Sequence, residues 1–331
     1  MRLAKLLPTL LLASTLPLAA ACGGDDSSGD GSVDPGGTNH TYVVSKINVP
    51  ANGAEANMYG LDIDGKPNDA NNGIDNQLGM VLGNIGALAP TLDVQGSIDE
   101  QVDTGGIILL TNLLAKDLAS ASGVGMTVYL GENPSPPACA DGNDTACRKH
   151  LTGTAMFSIG ANSPDDATLA GKIVAGKFTG GPGTVTLQIA LSAGMPIDLP
   201  LQKAKAELTG ISATGITGGK IGGAISKMDL ETKVYPAIAA TIRTTFERDC
   251  KTPAQGGTPA NNCMCTGTGA TLQSTFDKTP EDCVISDTEV VGFVAGLVSA
   301  DIDLDGDGVA DAVSLGVGIA AVGGVFTVPA L

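Results

Sequence analysis

Tryptophan is absent from this sequence, tyrosine and phenylalanine number only 4 and 6, and histidine occurs twice. Flat rings build sugar platforms and anchor many interfaces, so their scarcity argues against a carbohydrate-binding module. With His40 and His150 the only imidazoles, a Ser/His/Asp or Cys/His arrangement must use His150 or none. His150 follows Cys147 closely and reads as a surface residue beside a disulfide. HExxH, GxSxG and GxxxxGKS/T patterns are missing. Gly316 and Gly318 form a GxG without its third glycine, which reads as packing rather than nucleotide binding. Positive charge is also scarce: 18 Lys and Arg face 35 Asp and Glu, for a net charge of −17. Such a chain does not attract nucleic-acid phosphates or anionic lipid through general electrostatics, and its favoured charged partners are cations. Beyond the first residues, no run of about 18 unbroken apolar residues occurs, so no later membrane-crossing helix is expected.

What is present begins with Arg2 and Lys5, an apolar stretch from Leu6 to Leu18, and small residues Ala19, Ala20 and Ala21 before Cys22. This is the layout of a secretory signal peptide over residues 1–21, with Pro8 and Pro17 disfavouring a retained helical anchor. The residues around Cys22 resemble a bacterial lipobox, although Ala19 stands where such sequences usually carry Leu. The resemblance implies a surface lipoprotein with lipid attached to Cys22, held on the outer membrane because Gly23, not Asp, follows the cysteine. The same alanines satisfy ordinary signal peptidase, which leaves plain secretion as the alternative. Residues 22–40 form the expected linker, since GGDDSSGDGSVDPGGTN from Gly23 to Asn39 has too little apolar surface to fold. As a flexible tether it would hold a domain roughly 20 to 25 Å from the bilayer.

Of the 7 cysteines, Cys22 is set aside for lipid, and Cys139, Cys147, Cys250, Cys263, Cys265 and Cys283 suit disulfides in an oxidising compartment. Cys139 and Cys147 enclose a short polar loop and are natural partners. A bond between Cys263 and Cys265 would be strained, so one of them should pair with Cys250 and the other with Cys283. Zinc is the competing use of these four, but the spacing between Cys263 and Cys265 differs from that of common zinc knuckles.

Residues 41–331 read as a single globular domain of α+β class, with an antiparallel β-sandwich or barrel-like core, flanking helices and disulfides. Within 41–105, a strand at Thr41–Val49 precedes an Asp-rich loop and a helix on which Leu78, Val81, Leu82 and Ile85 share a face. A short helical piece around Ile98–Val102 follows. Residues 106–226 form the β core. Its clearest strand is Thr184–Leu191, where Val185, Leu187, Ile189 and Leu191 alternate with polar neighbours. Ala204, Ala206 and Leu208 alternate with Lys203, Lys205 and Glu207 in the same way, and Met126–Leu130, Thr154–Ile159 and Ile173–Phe178 are further strands. Residues 227–331 hold helices, the Cys-rich segment and a C-terminal strand within Val313–Pro329. Leu230, Val234, Ile238 and Ile242 step by four along a helix that Pro236 should bend or begin. Ser286 and Glu289 form a capping box ahead of Val290, Val294, Leu297 and Val298.

The chemistry is concentrated in DIDLDGDGVADAVS, residues 301–314. Alternating Asp303, Asp305 and Asp307, a glycine at Gly308 and a further Asp311 are the oxygen pattern with which one loop wraps a hard cation. The stretch resembles the calcium loops of EF-hands and thrombospondin type 3 repeats. By that resemblance Asp303, Asp305, Asp307 and Asp311 supply side chains and Val309 its carbonyl to a structural Ca2+. Ser314 stands where EF-hands place a bidentate Glu, which implies a weak affinity on the order of 10⁻⁴ to 10⁻³ M. A fainter echo lies at DIDGKPNDANNGIDN, where Asp62, Asp64, Asn72 and Asp75 could form a second loop or an Asx-rich turn capping the helix at Asn76. Two functions compete: a noncatalytic calcium-binding cell-envelope lipoprotein serving as a structural or binding module, and a secreted carboxylate-dependent hydrolase with structural calcium. The first needs a membrane through Cys22 and an envelope or extracellular partner. The second needs two acidic residues converging in a cleft away from the 303–311 loop.

Overall fold

The computed structural model describes residues 32–66, 73–88, 93–144, 146–164, 168–191, 196–251, 263–278 and 281–329. Eight strands close into an antiparallel barrel: β1 (Thr38–Asn48), β2 (Leu109–Ala115), β3 (Ala121–Ser135), β5 (Leu169–Val174), β6 (Lys177–Ile189), β7 (Ile197–Ser212), β8 (Gly215–Ser226) and β11 (Ala312–Gly323). Each pairs with the next in chain order, and β11 returns to pair with β1. Of the sandwich and barrel alternatives, closure selects the barrel and removes open edges. A short β4 (Met156–Ile159) pairs with the far end of β3, outside the ring.

Two insertions carry the helices. Between β1 and β2 lie α1 (Gly53–Tyr59), α2 (Gln77–Leu88) and α3 (Val94–Thr104). Between β8 and β11 lie a helical turn α4 (Lys227–Asp229), which continues through a π-helical turn (Leu230–Val234) into α5 (Tyr235–Asp249), then α6 (Thr268–Phe276) and α7 (Asp287–Leu297). A regular α-helix would drive the Pro236 ring into the carbonyl four residues earlier, and the widened turn lies just before it. Ser286 and Glu289 make both halves of the capping box on α7, burying Val290 and Val294 while Leu297 stays exposed. The ribbon of β9 (Cys250–Lys251) and β10 (Met264–Cys265) holds the Cys250–Cys265 disulfide, and Cys263–Cys283 and Cys139–Cys147 complete three bridges. These bridges place the domain in an oxidising, extracytoplasmic compartment. Among the described residues, no helix is long and apolar enough to cross a membrane.

Period-two alternation builds the barrel wall. Val185, Leu187 and Ile189 of β6, and Leu199, Leu201, Ala204, Ala206 and Leu208 of β7, are all buried in one apolar cluster. The change from odd to even positions in β7 is a bulge at Lys203, whose φ is +50°. Phe178, Met126, Leu113 and Leu169 touch no solvent and belong to the side-chain cluster that packs the interior. Outward positions include Lys172, Asp198, Gln202 and Glu207.

Three sequence expectations need correction. Ile173–Phe178 is not one strand: Ala175 and Gly176 both take positive φ and turn β5 into β6 as a two-residue hairpin, hidden in the sequence by the apolar residues on either side. Residues 32–40 are fold and not tether, because His40 pairs with Leu113 within β1 and the Asp34 amide bonds the Gly123 carbonyl on β3. His150 is fully buried rather than a surface residue.

Candidate metal centre

Both aspartate-rich loops sit on the outer face of β8 and β11. Each is closed at its base by a single antiparallel bridge, Leu61 with Asp75 and Ile302 with Ala312. Leu61, Ile63, Ala224, Ile302 and Ala312 form one small buried cluster beneath them, with Leu304 packed against it. Apolar residues placed between the aspartates therefore anchor each loop, leaving the carboxylates to face outward. Close approach is possible because β11 carries Gly316 and Gly318: a Cβ at Gly316 would fall 2.4 Å from the Tyr59 carbonyl oxygen, and one at Gly318 would fall 2.6 Å from the Tyr59 ring.

In the 301–311 loop, carboxylate oxygens of Asp303, Asp305 and Asp307 all lie within 4.8 Å of one another. Backbone donors hold them there. Asp303 accepts from the Gly306 amide at 2.7 Å and the Gly308 amide at 2.8 Å, Asp305 from the Asp307 amide, and Asp307 from the Val309 amide. Gly306 and Gly308 both have positive φ, which turns these amides inward. The Gly308 and Gly306 amides hold the Asp303 carboxyl below the usual carboxylate range. Asp311 is not part of this triad; it closes the loop by accepting from the Leu304 amide at 2.8 Å. Val309 is exposed at the tip.

Asp62, Asp64 and Asp75 form a second triad within the same 4.8 Å limit. Asp75 is buried and accepts from the Ile63 and Asp64 amides, while Asp62 accepts from the Gly65 amide and Asp64 from the Lys66 amide. Burial pushes the Asp75 carboxyl up, against the pull of the two amides, and the charges of Asp64 and Asp301 add to the rise. Asn72 lies outside the described residues, as does Cys22.

Residues with no obvious place in the sequence pattern join the two loops. Ser314 is fully buried: its hydroxyl donates to Asp301, its amide bonds the same carboxylate at 2.8 Å, and the Gln77 amide donates to its oxygen at 2.8 Å. Asn76 donates to the Ala56 and Gly316 carbonyls and accepts from the Gly316 amide, so it cross-links α1 to β11. The position where an EF-hand carries its twelfth ligand is thus a strand anchor bonded to Asp301 and Gln77. Three lysines grip the loops by their backbones: Lys203 reaches the Asp303 carbonyl at 2.6 Å, Lys220 the Gly60 carbonyl at 2.6 Å, and Lys205 the Asp62 carbonyl. The alternation of Lys203 and Lys205 in the sequence marks those two as outward, but nothing there shows what they touch.

A third grouping, Cys263, Asp277 and Cys283, has both sulfurs joined in a disulfide, so no thiolate pair is available for zinc. Asp277 instead accepts from the Asp282 and Cys283 amides and braces that bridge. The two triads present only oxygen donors on short loops, the donor set of a hard divalent cation. Comparison with known protein families, curated proteins and solved structures finds no match for this chain.

Proposed function

We propose that this protein is a noncatalytic, calcium-binding lipoprotein of the cell envelope, tethered through lipid on Cys22 and serving as a structural or binding module. The observation that carries this reading is the placement of two three-carboxylate clusters side by side on the outer face of β8 and β11, each gathered to within 4.8 Å. Like charges so close repel one another, and a divalent cation turns that repulsion into attraction. The apolar side chains that pack the barrel interior support a scaffold.

Thermal melting with calcium and with chelator tests the metal. At a dissociation constant on the order of 10⁻⁴ to 10⁻³ M, about 10 mM calcium stabilises the fold by roughly 1.4 to 2.7 kcal/mol. That corresponds to a rise of about 2 to 5 °C for a domain of this size. An unchanged melting temperature rejects calcium. Intact mass of the protein from the membrane fraction reads out the lipid on Cys22 directly.

A further inference from the structure

His150 lies in a 3-10 turn (Lys149–Leu151) and is fully buried, and neither ring nitrogen has a hydrogen-bond partner. A neutral imidazole carries one donor and one acceptor, and an imidazolium carries two donors, so this site satisfies neither form and suits the charged one least. The turn is a junction. The Arg148 amide bonds the Asp103 carbonyl at the end of α3, the Lys149 amide bonds the Ala138 carbonyl beside the Cys139–Cys147 loop, and the ring meets Phe157 of β4 edge to face at 6.3 Å. Phe157 and Ala155 in turn cover Val43, Ile108 and Leu110 on the outer wall of the barrel, with Leu151 packed against them.

We propose that His150 is an acid-sensitive latch: taking up a proton in the mildly acidic range releases the Cys139–Cys147 loop and β4, uncovering the apolar wall at Val43, Ile108 and Leu110. The charged groups around the ring are accounted for. Arg148 pairs with Asp103 from α3, Lys149 pairs with Asp144 from the disulfide loop, and β4 faces the ring with Phe157, which does not titrate. Burial first, then Arg148, pushes the imidazole below its usual range, while Asp103 and a Val102 carbonyl short of hydrogen-bond geometry pull the other way. The sign follows. A depressed folded-state value contributes stability that is complete above about pH 6.5 and is lost as pH falls towards the folded value.

Hydrogen exchange of the full chain, in about 10 mM calcium throughout, reads the latch between about pH 7.5 and 5. After correction for intrinsic rates, opening of residues 148–159 should grow about tenfold per pH unit below about pH 6.5, while β6 and β7 stay protected. In His150→Phe the pH slope should vanish. If that variant does not fold, imidazole resonances of the unaltered chain decide the matter, because His40 is the only other histidine. His150 should then titrate only together with loss of protection at 148–159. Protection that stays flat across the range, a slope that persists in His150→Phe, or a ring that titrates while protection is unchanged overturns the proposal.

Discussion

The two acidic loops share a residue pattern, a closing bridge and a patch of barrel wall, yet they stand in different surroundings. The 62–75 loop buries the side chains of both Asp75 and Asp64, and gives Asp64 a lysine partner, with Lys66 at 2.8 Å. The 303–307 triad has no side-chain ion pair among the described residues, and its nearest lysine, Lys203, is bonded to a backbone carbonyl. One loop has satisfied much of its charge from within the protein, while the other leaves its charge at the surface for an ion from solution. Aspartate spacing alone therefore does not measure demand for metal. Each triad accepts four backbone amides, so the measure is the cation already paired with a carboxylate and how far that carboxylate is buried.

The comparison can be broken most forcefully where the loops are joined. Asn76→Ala leaves the Gly316 amide and carbonyl and the Ala56 carbonyl without their partner, and should cost about 3 kcal/mol in denaturant unfolding, with or without calcium. Next in size, Asp303→Asn combined with Asp305→Asn should abolish the calcium-induced stabilisation of roughly 1.4 to 2.7 kcal/mol. In chelator the same variant should be less stable than the parent, because Asp303 loses the charge that the Gly306 and Gly308 amides stabilise in the fold. If calcium still raises its melting temperature by the full amount, the 62–75 loop is the principal site and the comparison is reversed. Asp62→Asn should keep most of the calcium response. Smallest of all, Val309→Ala should change stability by no more than about 0.5 kcal/mol and leave the response intact, since its side chain is exposed and the proposed ligand is its backbone carbonyl.

Much of this architecture is legible without coordinates. Thr184–Leu191 and the alternation at Ala204, Ala206 and Leu208 reveal strands because one face of each is buried and the other wet, and the observed burial follows them. The capping box at Ser286 and the Cys139–Cys147 pair are legible for local reasons, a hydrogen-bond pair three residues apart and a short loop between two cysteines, whereas the structure chooses Cys265 for Cys250 and Cys263 for Cys283. Asp303, Asp305 and Asp307 are gathered by the glycine turns that their spacing implies. Asp311 and Ser314 depart from the resemblance because both are used by the fold itself, one to close the loop and one to fasten it to Asp301 and Gln77. His150 gave no sign of burial, since a histidine among polar loop residues looks wet until β4 and α3 are folded around it.

The sequence by itself determined the short-range features: where strands alternate, where Ser286 starts a helix, that Cys139 pairs with Cys147, and where carboxylates cluster along a loop. Those depend on neighbours within a few turns or residues. Only the tertiary structure decided that β1 meets β11 to make a barrel, that the Asp62 and Asp303 loops lie side by side, and that Asn76 ties α1 to β11. These are encounters between residues far apart in the chain. Their energies come from desolvation and charge at contacts that exist only once the barrel has closed.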